Sequence, residues 1–169
     1  MAPEANPDAL DDGGAQAAAV PHLADDVVIG DWTVLVAACA RVRAEARRSL
    51  AARHALDLSV FEVLFQLSRC PAGRQTSSEL AAEVSYSSGG FTKLADRLER
   101  DGLVVRRSDA RDRRLVWIEL TEAGFDVVGA ASVDHAAFLR DALVERLGAE
   151  RFSLVAQAMR TLLEADAPA

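Results

Sequence analysis

The sequence predicts a mainly helical α+β fold of about six helices and one β-hairpin, and three observations carry that prediction. Ala, Leu, Arg and Glu are abundant while aromatic residues make up only 5% of the 169, a balance that favours packed helices over a β-sandwich. Apolar residues recur at spacings of three and four along most of the chain, the period of a helix with one buried face. Two short β-prone runs, residues 103–107 and 115–120, flank a polar stretch over residues 108–114, the pattern of a hairpin with a long charged loop. With half its residues apolar, the chain can bury one continuous core without disulfides or metal.

Taken in order, residues 1–24 are rich in Ala, Pro, Gly and Asp and show no sustained apolar period. Such a segment cannot bury enough surface to offset its ordering entropy, so a mobile acidic tail is expected. Over residues 25–57 the positions Trp32, Leu35, Val36, Cys39, Val42, Ala46 and Leu50 mark one long amphipathic helix, interrupted near residues 54–58. Trp32 and Cys39 are expected in its buried stripe. Ser59 with Glu62 has capping-box spacing at the start of a second helix, which ends near Cys70 ahead of Pro71, Ala72 and Gly73. Thr76 with Glu79 repeats the spacing before a short third helix carrying Leu80, Ala81 and Val84. Turn residues 85–88 lead to a fourth helix with Phe91, Leu94, Ala95 and Leu98 on one face. Asp101-Gly102 ends it. In the hairpin, Val104, Val116, Ile118 and Leu120 give the partial alternation of a pair with one packed face. Thr121 is a good N-cap for a fifth helix reaching about Leu147, and Gly148 separates it from a last helix carrying Phe152, Val155, Met159 and Leu162.

The formal net charge is −7, yet the acid is unevenly placed. Residues 1–31 hold seven carboxylates and no Lys or Arg, residues 32–118 hold 15 basic against 10 acidic side chains, and residues 119–169 hold 4 against 9. A basic middle between acidic ends leaves phosphate binding open despite the overall sign. Cys39 and Cys70 form no CxxC pair, and His22, His54 and His135 have no ligand spacing, so neither a disulfide framework nor a metal or other cofactor is expected. No nucleophile with a base, no paired carboxylates and no phosphate loop point to an enzyme. No basic leader precedes an apolar run and no apolar run approaches the length of a membrane span, so a cytoplasmic protein without membrane attachment is expected.

Short helix, turn, polar-faced helix, strand, basic loop, strand is the order of a winged helix-turn-helix. A helix fits the major groove of a duplex while a two-stranded ribbon reaches the neighbouring minor groove, so one face of the protein spans both. Opposite its core stripe the fourth helix presents Ser88, Thr92, Lys93, Asp96, Arg97 and Arg100, and its first turns, with Ser87, Ser88, Gly90, Thr92 and Lys93, are the part that approaches base edges. Gly89 and Gly90 each cost about 1 kcal/mol relative to alanine inside a helix, which either a close approach of backbone to DNA or a loose turn explains. Arg97, between Asp96 and Glu99, suits a phosphate contact and a structural ion pair equally. In the loop, Arg111, Arg113 and Arg114 suit phosphates or a narrow minor groove. Asp112 suits bracing, holding a neighbouring arginine in one rotamer.

Five segments in order, Ser78-Glu79-Leu80-Ala81, Thr92-Lys93-Leu94-Ala95-Asp96-Arg97-Leu98-Glu99, Asp101-Gly102-Leu103-Val104, Asp112-Arg113-Arg114 and Leu120-Thr121-Glu122-Ala123-Gly124, resemble the MarR family over about residues 58–128. The resemblance implies a winged helix-turn-helix DNA-binding lobe over residues 58–120, with residues 25–57 and 121–165 forming a homodimer. It implies a transcriptional repressor on a pseudo-palindromic double-stranded operator, released by a small-molecule effector. The family's wing Asp-x-Arg falls on Asp112 and Arg114, which makes Arg114 the implied minor-groove contact and Arg111 and Arg113 supplementary ones. The implied effector pocket is expected to draw on Trp32, Cys39, Glu62 and Phe65. Peroxide sensing, known for some members, is not expected, because the sensing position falls near Val34 and its tyrosine partners are missing.

Overall fold

The computed structural model describes residues 27–70, 72–84 and 88–165. The acidic tail expected over residues 1–24 lies outside them. The chain forms two compact units, Met1–Ala37 and Ala38–Ala169.

Helix α1 runs Val27–His54. The described part of the first unit is its opening turns, where Val27, Val28, Ile29, Trp32, Val34, Leu35 and Val36 are all exposed. Trp32, expected in the core, is 65% exposed, and Cys39 in the second unit is exposed as well. Only Ala46 and Leu50 of the α1 stripe are buried. The period selects the two buried positions, but a period carries no information about what covers the rest of the stripe.

In the second unit, α1 ends where Ala55 takes φ 50°, and α2 follows over Leu58–Arg69. Its N-cap is Asp57, whose Oδ1 accepts Ser59 N–H at 2.9 Å and the Ser59 hydroxyl. The capping box expected from Ser59 and Glu62 is therefore replaced: the helix starts two residues earlier, and Glu62 turns to Arg43 instead. The Ser59 bonds hold the Asp57 carboxyl below its ordinary pKa against the opposing effect of burial. Strand β1, Arg74–Thr76, leads into α3, Ser77–Glu83, where the expected box is present: Thr76 Oγ1 accepts Glu79 N–H at 3.3 Å while Glu79 Oε2 accepts Thr76 N–H at 3.1 Å.

Helix α4, Ser88–Arg100, buries Phe91, Leu94, Ala95 and Leu98, the four positions its spacing selects. It stops at Gly102, whose φ of 71° is costly for any residue with a Cβ. Strands β2, Val104–Ser108, and β3, Val116–Leu120, form the hairpin. The sheet has three strands where two were expected: β1 pairs antiparallel with the far edge of β3, Arg74 opposite Glu119 and Thr76 opposite Trp117, giving the order β1-β3-β2. Three residues are too few to show alternation, so only pairing reveals this strand.

Helix α5, Glu122–Leu139, continues through a π turn, Arg140–Val144, into α6, Glu145–Leu147. Together these make the single rod expected from Thr121 to Leu147, ended by Gly148 at φ 83°. Helix α7 covers Ala149–Ala165. Thr121 Oγ1 accepts Gly124 N–H at 3.0 Å and donates to the Gly102 carbonyl at 2.8 Å, tying the start of α5 to the base of the hairpin. A Cβ on Gly124 would lie 2.1 Å from the Leu103 carbonyl oxygen, so glycine is a packing requirement there.

The core joins Ala46 and Leu50 of α1, Phe61, Leu64 and Leu67 of α2, Leu80 of α3, the α4 face, Val104, Ile118, and Val128 and Ala131 of α5. Across it, His54 Nε2 lies 2.9 Å from Asp134 Oδ2, linking α1 to α5.

Candidate nucleic-acid interface

Burial of one α4 face fixes what the other face presents. Thr92, Lys93, Asp96, Arg97 and Arg100 are all exposed. Ser87 lies outside the described residues, as does the side chain of Ser88. Gly89 has no heavy atom within 4 Å of where its Cβ would stand and no left-handed φ, so nothing within the described chain calls for glycine there. Gly90 is half-buried.

The wing is organised by Asp109, which sequence reasoning missed. Its Oδ1 accepts the N–H groups of Arg111 and Asp112 at 2.8 and 3.0 Å, and its Oδ2 accepts Trp117 Nε1–H at 3.0 Å. These bonds, led by the indole, hold the Asp109 carboxyl below its ordinary pKa. The available signal was an Asp opening a polar loop, since Asp side chains bond backbone N–H groups two residues on. Asp112 works the same way: its Oδ1 accepts Arg114 N–H at 2.9 Å. It was expected to fix an arginine side chain, and what it holds is the Arg114 backbone, because a short carboxylate reaches its own turn more readily than a flexible guanidinium.

The arginines divide into two groups. Arg106 reaches from β2 to α4, with Nη2 2.5 Å from Asp96 Oδ1 and 3.4 Å from the Thr92 carbonyl oxygen, and Nε 3.6 Å from Glu99 Oε2. Arg107 and Arg74 share Glu119 at 2.9 and 3.4 Å, and Arg74 also stacks 4.8 Å over the Trp117 ring. Arg97 pairs with Asp101 at 3.6 Å, neither of the two acids beside it in sequence. In contrast, the exposed side chains of Lys93, Arg100, Arg111, Arg113 and Arg114 make no ion pair with any described residue. A groove of about 400 Å³ separates the wing from the helices, lined by Ser77, Ser78, Phe91, Thr92, Arg106 and Arg114 among others.

Elsewhere in the second unit a cavity of about 580 Å³ is bounded by α1, α2, the end of α3 and α5. Glu62 and Phe65 line it, as expected of pocket residues; Trp32 and Cys39 do not. The half-buried His135, also in the lining, has its pKa lowered by burial, opposed by the Glu62 charge. Among the described residues no helix is long and apolar enough to cross a membrane.

An exposed polar-faced helix beside a three-stranded sheet with a basic hairpin loop defines a winged helix-turn-helix protein. Residues 56–115 match the model of the MarR family. Over that stretch, about a third of its length, the chain is similar to the family. It is 27% identical over 108 residues to the HTH-type transcriptional regulator MhqR of Bacillus subtilis, a match covering 64% of this chain and 72% of that protein. An uncharacterized HTH-type transcriptional regulator of the same organism, YwhA, is 36% identical over 80 residues, 46% of this chain and 55% of its own length, so the match spans little more than half of that relative. Among solved structures, Sco3205, a MarR family transcriptional regulator from Streptomyces coelicolor in complex with DNA, superposes with a TM-score of 0.75 at 23% identity. That superposition covers 83% of this chain and 89% of Sco3205.

Proposed function

We propose that this chain is a cytoplasmic DNA-binding transcriptional repressor, acting as a homodimer on a pseudo-palindromic operator and released by a small molecule. The observation that carries the proposal is the division of cations. Arginines at the root of the wing are neutralised by Asp96, Glu99 and Glu119, while those at its tip, with Lys93 on α4, have no carboxylate partner among the described residues. Phosphates are the partner such a pattern suits. In this arrangement Ser87, Ser88, Gly90, Thr92 and Lys93 face base edges in the major groove, Arg114 enters the minor groove, and Arg111 and Arg113 steady the complex on phosphates, while Arg97 stays with Asp101. An open Gly89 at the start of α4 suits a close approach by the duplex.

Dimerisation is supported by apolar side chains that the single chain leaves uncovered: Leu154, Val155, Met159, Leu162 and Leu163 on α7, and separately Trp32 and its neighbours on α1. The cavity lined by Glu62 and Phe65 is the effector site, and a ligand there releases DNA by favouring a dimer whose two recognition helices no longer match successive grooves. Fluorescence anisotropy with duplex from upstream of the protein's own gene, at two salt concentrations, tests the proposal. The expected result is saturable binding to half-sites about one helical turn apart, weakening steeply with salt. Equal affinity for a scrambled duplex, or no salt dependence, refutes it.

A further inference from the structure

We propose that the cavity between α1, α2, α3 and α5 selects a planar aromatic cation, such as a protonated arylalkylamine or an aromatic amidine. This inference rests on the effector role given to the cavity above and assigns that effector a chemical class. The first observation is an aromatic wall: the Phe61 ring lies 5.6 Å from Phe65 in a stacked arrangement and 4.7 Å from the His135 ring. Ring faces attract cations as well as other rings.

The second is the charge of the lining, which holds two carboxylates, Glu62 and Glu83, against one guanidinium, Arg43. That guanidinium is already engaged with both terminal nitrogens, Nη1 to Glu62 Oε1 at 2.6 Å and Nη2 to Glu62 Oε2 at 3.2 Å. Glu83 accepts from Gln66 Nε2 and Gln75 Nε2, each at 2.6 Å. Burial holds the His135 imidazole toward its neutral form, so it adds no compensating charge at neutral pH. An anion entering must compete with Glu62 for Arg43 and leave that carboxylate unpaired. A cation meets carboxylate oxygens that each retain acceptor capacity. The volume of about 580 Å³ is that of an ordinary small-molecule site.

Three probes of one shape test the class on the full-length protein: naphthylmethylamine, naphthylmethanol and naphthoate, each measured by calorimetric binding and by its effect on operator affinity. The amine is expected to bind at least about tenfold tighter than the carboxylate, with the alcohol between them. Glu83→Gln is expected to remove most of the amine's advantage, and Glu62→Gln, which frees Arg43, to move the preference toward naphthoate. Naphthoate binding as tightly as the amine to the unaltered protein, no binding of any probe, or an undiminished amine preference in both variants overturns the proposal. If naphthoate binds and releases DNA, the charge class falls while the effector role of the cavity stands. If the amine binds preferentially but leaves operator affinity unchanged, the class stands and the effector role falls.

Discussion

Replacing Arg111, Arg113 and Arg114 together by alanine removes from each wing three exposed charges that have no carboxylate partner among the described residues. A side chain that neutralises one phosphate of B-DNA contributes about 0.9 to the slope of log affinity against log salt. Three contacts per wing, doubled by the two-fold axis of a dimer, predict a slope flatter by up to about 5 in the variant. Between roughly 50 and 200 mM salt the unaltered protein then loses on the order of a thousandfold more affinity than the variant does. Arg107→Ala is the control: it removes one like charge from β2 of the same hairpin, but one bound to Glu119 at 2.9 Å, and the slope is expected to stay as it was. Anisotropy titrations at four or more salt concentrations give both slopes, and thermal melts establish that neither variant is unfolded. An unchanged slope in the triple variant, or equal flattening by Arg107→Ala, refutes the division of the arginines into spent and available groups.

At Gly124, alanine places a Cβ 2.1 Å from the Leu103 carbonyl oxygen and 3.0 Å from a Leu120 methyl. Gly124→Ala is therefore expected to cost about 1–3 kcal/mol or more in urea unfolding, whereas Gly129→Ala, with nothing within 4 Å, is expected to stabilise α5 by up to about 1 kcal/mol; equal effects would contradict the packing described. Asp109→Ala is expected to speed exchange of the Arg111 and Asp112 amides and to shift tryptophan emission as Trp117 loses its acceptor. Because the folded Asp109 pKa is depressed, the order it confers is present above the unfolded carboxyl value near pH 4 and is lost as pH falls through the lower folded value. Tryptophan emission should accordingly hold from pH 7 to 5 and change only in stronger acid; a change near pH 6 would count against the assignment. Met159→Glu combined with Leu162→Glu is expected to convert a dimer to a monomer by light scattering, and an unaltered protein that is already monomeric would remove the dimer from the proposal.

Much of the local structure was legible in the order of residues because its determinants act within one helical turn or across one tight turn. The α4 stripe of Phe91, Leu94, Ala95 and Leu98, the Thr76–Glu79 box, the Thr121 cap and the stop at Asp101-Gly102 each involve neighbours no more than about four residues apart. The basic wing tip was legible for the same reason, since seven consecutive loop residues carry it. Tertiary structure decided what depends on partners distant in sequence. It alone shows that residues 74–76 are a strand, since Arg74 meets Glu119 only after α3 and α4 have intervened. It alone spends Arg106 on Asp96 and Glu99, turns Glu62 to Arg43 in place of a capping role, and leaves Trp32 exposed. Periodicity states which side of a helix is apolar, and local chemistry states where a helix begins. Which groups satisfy a charge, and which surface remains uncovered, are set by the packing of the whole chain.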